Sequence, residues 1–408
     1  MTTTTPSRRP SCSDPTGGFV AAPVDAAVLR ARAYNLRWAE QPPDVIPLTA
    51  ADHDLPCAPV IREAVARYVA DGCLAYGPAA GLPGFRAAVA DYLVERRGLP
   101  AAPAQILAAD GAASALFLVA RALLAPGDEV VVFDPVDFLF AASTEAAGGV
   151  ARRVPFSREG GIDLDALAAA IGPRTRAIAL CNPHNPFGRC LRPAELEAVA
   201  ALAERHDLWI ISDEIWADIS YAGRCPSVAA LGAEADRRTI VVGGFSKSFG
   251  LAGLRIGFAR APDAAVFARL VAAGHADKTA YGAATLSQVA AEAALRDGWP
   301  WFDAFLAHLR AMRGLVCDRL DALPGLACPR PEATFLAFAR ILDPAVSAEA
   351  LAQRLLDRAR VAVVPGAARW FGPGAVGHVR LAFATARPIV EAALDRIEAA
   401  LADGIGGD

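Results

Sequence analysis

The sequence predicts an α/β protein: a large domain with a mostly parallel sheet sandwiched by helices, and a smaller α/β C-terminal domain. Three observations predict it. Short, almost continuously apolar runs recur between helical stretches, as expected of strands buried on both faces and joined by crossover helices. The chain has 408 residues, 54% of them hydrophobic, enough to bury a large interior. No apolar run approaches the roughly 18 residues of a membrane span, because a charge or a proline interrupts every candidate.

Residues 1–23, MTTTTPSRRPSCSDPTGGFVAAP, are rich in Thr, Ser, Pro and Gly and read as a disordered tail rather than a signal peptide. A segment over 24–45, expected to pack with the small domain, leads into VIPLTAADHDLPCAPVI, which reads as a short strand, an acidic loop and a helix start. Apolar spacing predicts a helix over 61–69. The Gly/Pro-rich loop LAYGPAAGLPGFR then opens a helix that ends at Arg96-Arg97-Gly98. Strands are expected over 105–109, 129–133, 176–180, 209–212, 239–242 and 255–259. A long helical region follows over 283–320, broken near 298–301. The last part predicts strands over 333–338, 361–364 and 378–383, with helices over 348–358 and from 388 onward. This places the large domain at 46–290 and the small one at 291–408.

A net charge of −4 without a basic run argues against nucleic acid as a partner. The eight cysteines are scattered with no CxxC pair, which suits free thiols in a cytoplasmic protein and neither a disulfide framework nor a metal site.

Lysine is nearly absent. Only Lys247 and Lys278 occur, and Lys247 sits in GGFSKSFGLAGLRIGF, residues 243–258. An amine can lose its proton and condense with an aldehyde, which a guanidinium cannot do. Ser246 beside it and Arg255 beyond two glycines offer a hydroxyl and a fork of donors suited to a phosphate. Gly111, Ala112 and Ala113 follow a predicted strand and open a helix, so their backbone N–H groups form a second anion site. Asn182 to Gly188, NPHNPFG, is a stiff turn at a strand's carboxyl end, where parallel sheets bind ligands. Asp213 ends the apolar strand LWIIS, and a carboxylate there needs a partner; Glu214 reads as its solvated or structural neighbour. Arg380 lies inside the apolar strand HVRLAFA and needs either a structural salt bridge or a ligand carboxylate.

Together these segments, in this order, resemble the fold-type I pyridoxal-phosphate enzymes of the class I/II aminotransferase superfamily. The resemblance covers roughly residues 45–385. It implies pyridoxal 5′-phosphate as cofactor and Lys247 as the residue that holds it and acts as base. It also implies Asp213 on the ring nitrogen, Asn185 on the 3′-oxygen and near the substrate, and Arg380 as the clamp for an α-carboxylate. Trp216 stands where relatives carry a tyrosine that touches the 3′-oxygen. Tyr76, in YGPAAGLPGFR, matches a tyrosine that reaches the neighbouring subunit's phosphate, which implies a homodimer. In DPVDFLF, Asp137 occupies the usual place of the ring-stacking aromatic, so either Phe138 shifts in to stack or an acid lies over the ring.

The forms NPHNPFG and ADHDLP resemble the cystathionine β-lyase-like C–S lyases, a group that includes natural-product enzymes such as those of lincosamide pathways. The expectation is therefore β-elimination from an S-substituted cysteine. Alternatives are amine transfer and decarboxylation-coupled oxidative deamination in antibiotic biosynthesis. A regulatory protein that only binds the cofactor is a further alternative, without a helix-turn-helix extension to support it.

Overall fold

The computed structural model describes residues 15–20, 24–159, 161–278 and 282–406. Eight strands form the large sheet: β1 (Ile106–Ala109), β2 (Glu129–Asp134), β3 (Val150–Ser157), β4 (Gly161–Ile162), β5 (Thr175–Cys181), β6 (Trp209–Asp213), β7 (Thr239–Gly244) and β8 (Gly257–Arg260). Their order across the sheet is β1-β8-β7-β6-β5-β2-β3-β4. The run from β7 through β6, β5 and β2 to β3 is parallel, while β8 pairs antiparallel with both β7 and β1. Valines and isoleucines of β2, β5, β6 and β7 are buried, filling cores on the two faces of the sheet. β3 carries exposed arginines among its buried apolar residues, a mixed pattern the search for continuous apolar runs does not detect.

A second sheet of four antiparallel strands holds Leu326–Ala327, Leu336–Ile341, Val364–Pro365 and His378–Ala382. The single strand expected over 361–364 is split. Val361–Ala362 pairs parallel with Ile46–Pro47, whereas Val364 pairs with Arg380. Backbone hydrogen bonds continue this tie through Leu48 and on to Asp54, whose N–H donates to the Ala384 carbonyl. The main chain of this segment thus finds partners in the C-terminal part of the chain. The long helical region breaks at Gly298, between Thr285–Asp297 and Trp299–Asp321.

Residues 15–20 are not a free tail. Phe19 packs edge-on to Trp301 (5.6 Å, 73°) within the aromatic cluster of the Trp299–Asp321 helix. The rest of the expected tail, 1–14 and 21–23, lies outside the described residues.

Candidate active site

Strand β7 ends in Gly243-Gly244, and the chain turns into the short helix Ser246–Phe249 that carries Lys247. The carboxyl ends of β1, β5 and β6 bring Gly111, Asn185 and Asp213 to the same edge, the standard ligand position of a parallel sheet. The small sheet delivers Arg380 from the other side. These residues line one cavity of about 300 Å³ together with Ala112, Ala113, Trp216, Ser246, Arg255 and Phe138.

The Lys247 Nζ donates to the Ala51 carbonyl (2.5 Å) and lies 5.4 Å from the centre of the Trp216 ring, which is 2% exposed. Burial pushes the Lys247 amine below its ordinary pKa, against the opposing pull of Asp52, Asp137 and Asp213. Asp213 accepts the Ile215 backbone N–H (3.0 Å) and forms no salt bridge among the described residues. Burial, then Asp137 and Glu214, raise its pKa from 3.8 to about 7. Glu214 is not solvated: it pairs with buried Arg97 (3.2 Å) and accepts from Ser212 (3.1 Å), a structural role.

The turn expected to take an anion lies at the start of the helix Ala112–Leu123. Gly111 has φ 92°, open to glycine and strained for other residues, and the Arg255 guanidinium lies beside it. A Cβ on Gly257 would stand 2.8 Å from the Ala112 nitrogen and 2.6 Å from the Gly243 carbonyl. Glycine there lets the helix N-terminus approach the strand ends.

Arg380 is 7% exposed. One terminal nitrogen donates to the Asn185 side-chain oxygen (3.3 Å), the other to the Thr49 carbonyl (3.2 Å), and Nε has no partner. No carboxylate pairs with it among the described residues, so the structural salt bridge is ruled out there. Burial lowers its pKa to about 10, with only Asp137 acting against that. Asp137 itself is turned inward: its carboxylate accepts from the Asn185 amide (2.8 Å) and from the Leu139 N–H (3.1 Å). Phe138 is at the rim, 41% exposed and edge-on to Trp370 (6.1 Å, 70°).

Tyr76 is not brought into this cavity. It is 89% exposed in a second groove formed with Ala276 and residues 282–286. His184, central to the lyase-like reading of NPHNPFG, lies outside the cavity as well, stacked on Phe156 (4.1 Å) with both ring nitrogens unpartnered and its pKa pushed down to about 3 by burial. It fills the core. His53, of ADHDLP, packs on Phe305 (4.9 Å) and against Gly250, again without a polar partner.

Several lining residues escape sequence reading. Asn35 and Leu36 hold positive φ (63° and 65°) at the cavity, and Trp370 and Phe371 come from the far end of the chain. Only the tolerance of asparagine for the left-handed region offers a sequence signal.

The family described as aminotransferase class I and II matches residues 43–397. Arginine–pyruvate transaminase of Pseudomonas aeruginosa is 36% identical over 374 residues, covering 90% of this chain and 92% of that protein. Aspartate/prephenate aminotransferase of Thermus thermophilus is 34% identical over 379 residues, covering 92% and 95%. Among solved structures, an aromatic aminotransferase from Pyrococcus horikoshii superposes with a TM-score of 0.82 at 32% identity, covering 93% of this chain and 99% of that one. A PLP-bound structure from Clostridium difficile gives 0.84 at 25% identity, covering 91% and 97%.

Pyridoxal phosphate is the cofactor these likenesses indicate, and the residues present fit it. The turn at Gly111 has a cradle that a Cβ would fill, the Asp213 carboxylate is buried without a salt-bridge partner among the described residues, and the one cavity lysine is half-buried.

Proposed function

The chain belongs to the class I and II aminotransferase family, and from that premise we propose that it is a pyridoxal-phosphate-dependent aminotransferase acting on an α-amino acid. The observation that carries this reading is Arg380: a buried guanidinium with an unpartnered Nε and no resident carboxylate, in the same cavity as the half-buried Lys247. A substrate α-carboxylate supplies the bidentate acceptor the fork lacks.

Arg255, Ser246 and the N–H groups of Ala112 and Ala113 would hold the phosphate, Asp213 the protonated ring nitrogen, and Asn185 with Trp216 the ring's 3′-oxygen. Pyridoxal phosphate supplies an aldehyde that condenses with amines and a ring that accepts the electron pair left when Cα is deprotonated. Arg380 and Asn185 fix the substrate so that its Cα–H faces Lys247. The Lys247 amine, favoured in its neutral form by burial, would take that proton from Cα. Trp216 and the Ala51 carbonyl keep the amine out of bulk water.

The β-elimination expectation gives way to its alternative. Relatives matched over nine-tenths of the chain are aminotransferases, and the histidines that gave NPHNPFG and ADHDLP their lyase-like form pack against aromatic rings without polar partners. Incubation with amino acids and a 2-oxo acid acceptor tests the proposal. Product formation that requires the acceptor supports it; release of thiol, pyruvate and ammonia from an S-substituted cysteine without acceptor overturns it.

A homodimer belongs to the same proposal. Tyr76 and Leu74, 89% and 64% exposed on one groove, are suited to a second copy rather than to water. Sedimentation that finds only monomer would refute it.

A further inference from the structure

Once the proposed roles are assigned, the cavity keeps two acids and no cation. Arg255 faces the phosphate position, Lys247 the aldehyde, Asp213 the ring nitrogen and Arg380 the α-carboxylate; Asp137 and Asp52 remain. No further arginine or lysine among the described residues lines the cavity, so a second carboxylate on the substrate meets like charge instead of a counter-ion.

Both acids favour the charged form of the Lys247 amine. Of the two, Asp137 is the one that also meets the Arg380 guanidinium. The charged groups that face it are Arg380, Lys247 and Asp213, each already assigned a partner. Asn185 stands between it and Arg380, bonded to both, so a substrate gripped by Arg380 has Asp137 within one side chain's reach. Phe138, Trp370 and Leu36 add an apolar wall to the same cavity. Methylenes suit that wall, and a terminal cation suits the half-buried Asp137 carboxylate.

We propose that Asp137 is a specificity-determining residue that makes this site select α-amino acids whose side chain ends in an amine or a guanidine over dicarboxylic ones. The inference rests on the reading of the cavity as an α-amino-acid site and adds the class of side chain.

Arginine and its neutral urea isostere citrulline differ in the charge Asp137 would meet. The holoenzyme is titrated with the α-methyl derivatives of both, which carry no Cα–H and do not turn over, and dissociation constants are read from the cofactor's absorbance. kcat/KM is then measured for arginine, ornithine, citrulline, aspartate and glutamate. A charged hydrogen bond in such a site predicts about 10- to 100-fold preference for the cation in both measurements. In Asp137→Asn, whose one oxygen can still accept from the Asn185 amide at the expense of the Leu139 N–H, the preference collapses toward unity. Equal binding of the two α-methyl compounds by the wild type, a preference for aspartate or glutamate, or an unchanged ratio in Asp137→Asn overturns the assignment. Because the binding titration needs no turnover, it reads Asp137 even if the reaction proves not to be amine transfer.

Discussion

Asp213 should cost the cofactor-free protein stability while serving the loaded one. Its carboxylate is buried and unpaired, with a pKa of about 7 in place of 3.8. The folded state therefore holds the proton more tightly than the unfolded chain, and stability falls as pH rises from about 4 to about 7. Keeping the group ionised above that range costs about 4 kcal/mol, an upper figure because the site relaxes. Asp213→Asn removes the charge and keeps an oxygen for the Ile215 N–H. Stripped of cofactor, the variant is expected to melt higher than the wild type at pH 8 and to lose that advantage as pH falls toward 4. With cofactor added, the order of function reverses: the wild type gains a cation on its carboxylate, and the variant loses about 3 kcal/mol of charge stabilisation, roughly 100-fold in kcat. Thermal denaturation of both stripped proteins at several pH values, with kcat of both holoenzymes, decides the matter. A stripped variant less stable than the wild type at pH 8, or a gap that does not change with pH, would refute the reasoning.

Arg380→Lys keeps a charge but loses the fork, so KM should rise and kcat fall together, with kcat/KM down about 100-fold; an amine without a carboxylate that reacts as well as its parent amino acid would contradict the clamp. Gly257→Ala drives a Cβ to within 2.8 Å of the Ala112 nitrogen and should weaken pyridoxal-phosphate binding and destabilise the fold by about 1–3 kcal/mol, read by cofactor titration and melting. Unchanged cofactor affinity in a folded Gly257→Ala protein would mean that the turn at Gly111 does not depend on this close approach.

Much of the fold was legible because its signals are local. Strands β2, β5, β6 and β7 are short apolar runs, and their carboxyl ends carry Asn185, Asp213 and the segment of Lys247. Strand β3 was not legible, since its exposed arginines interrupt the apolar pattern. Nor was the split after Val361, where one extended segment serves Ile46–Pro47 and then the small sheet, a division set by distant partners. The same limit applied within the site. The chemistry of Lys247, Asp213 and Arg380 stands in the residue types and their apolar settings. That Asp137 turns inward depends on the Asn185 amide, brought from a separate strand end, and that the histidines of NPHNPFG and ADHDLP pack against aromatic rings depends on rings brought from 156 and 305.

If Lys247 holds the cofactor, reductive trapping shows it most directly. Holoenzyme treated with borohydride and digested should yield the cofactor mass on the peptide bearing Lys247, while Lys247→Ala should lose both the adduct and the absorption band of the bound cofactor. The other lysine, Lys278, lies on the surface beside Asp277 (2.9 Å) with its side chain 72% exposed. An adduct at Lys278, or a cofactor band that survives in Lys247→Ala, would contradict the account.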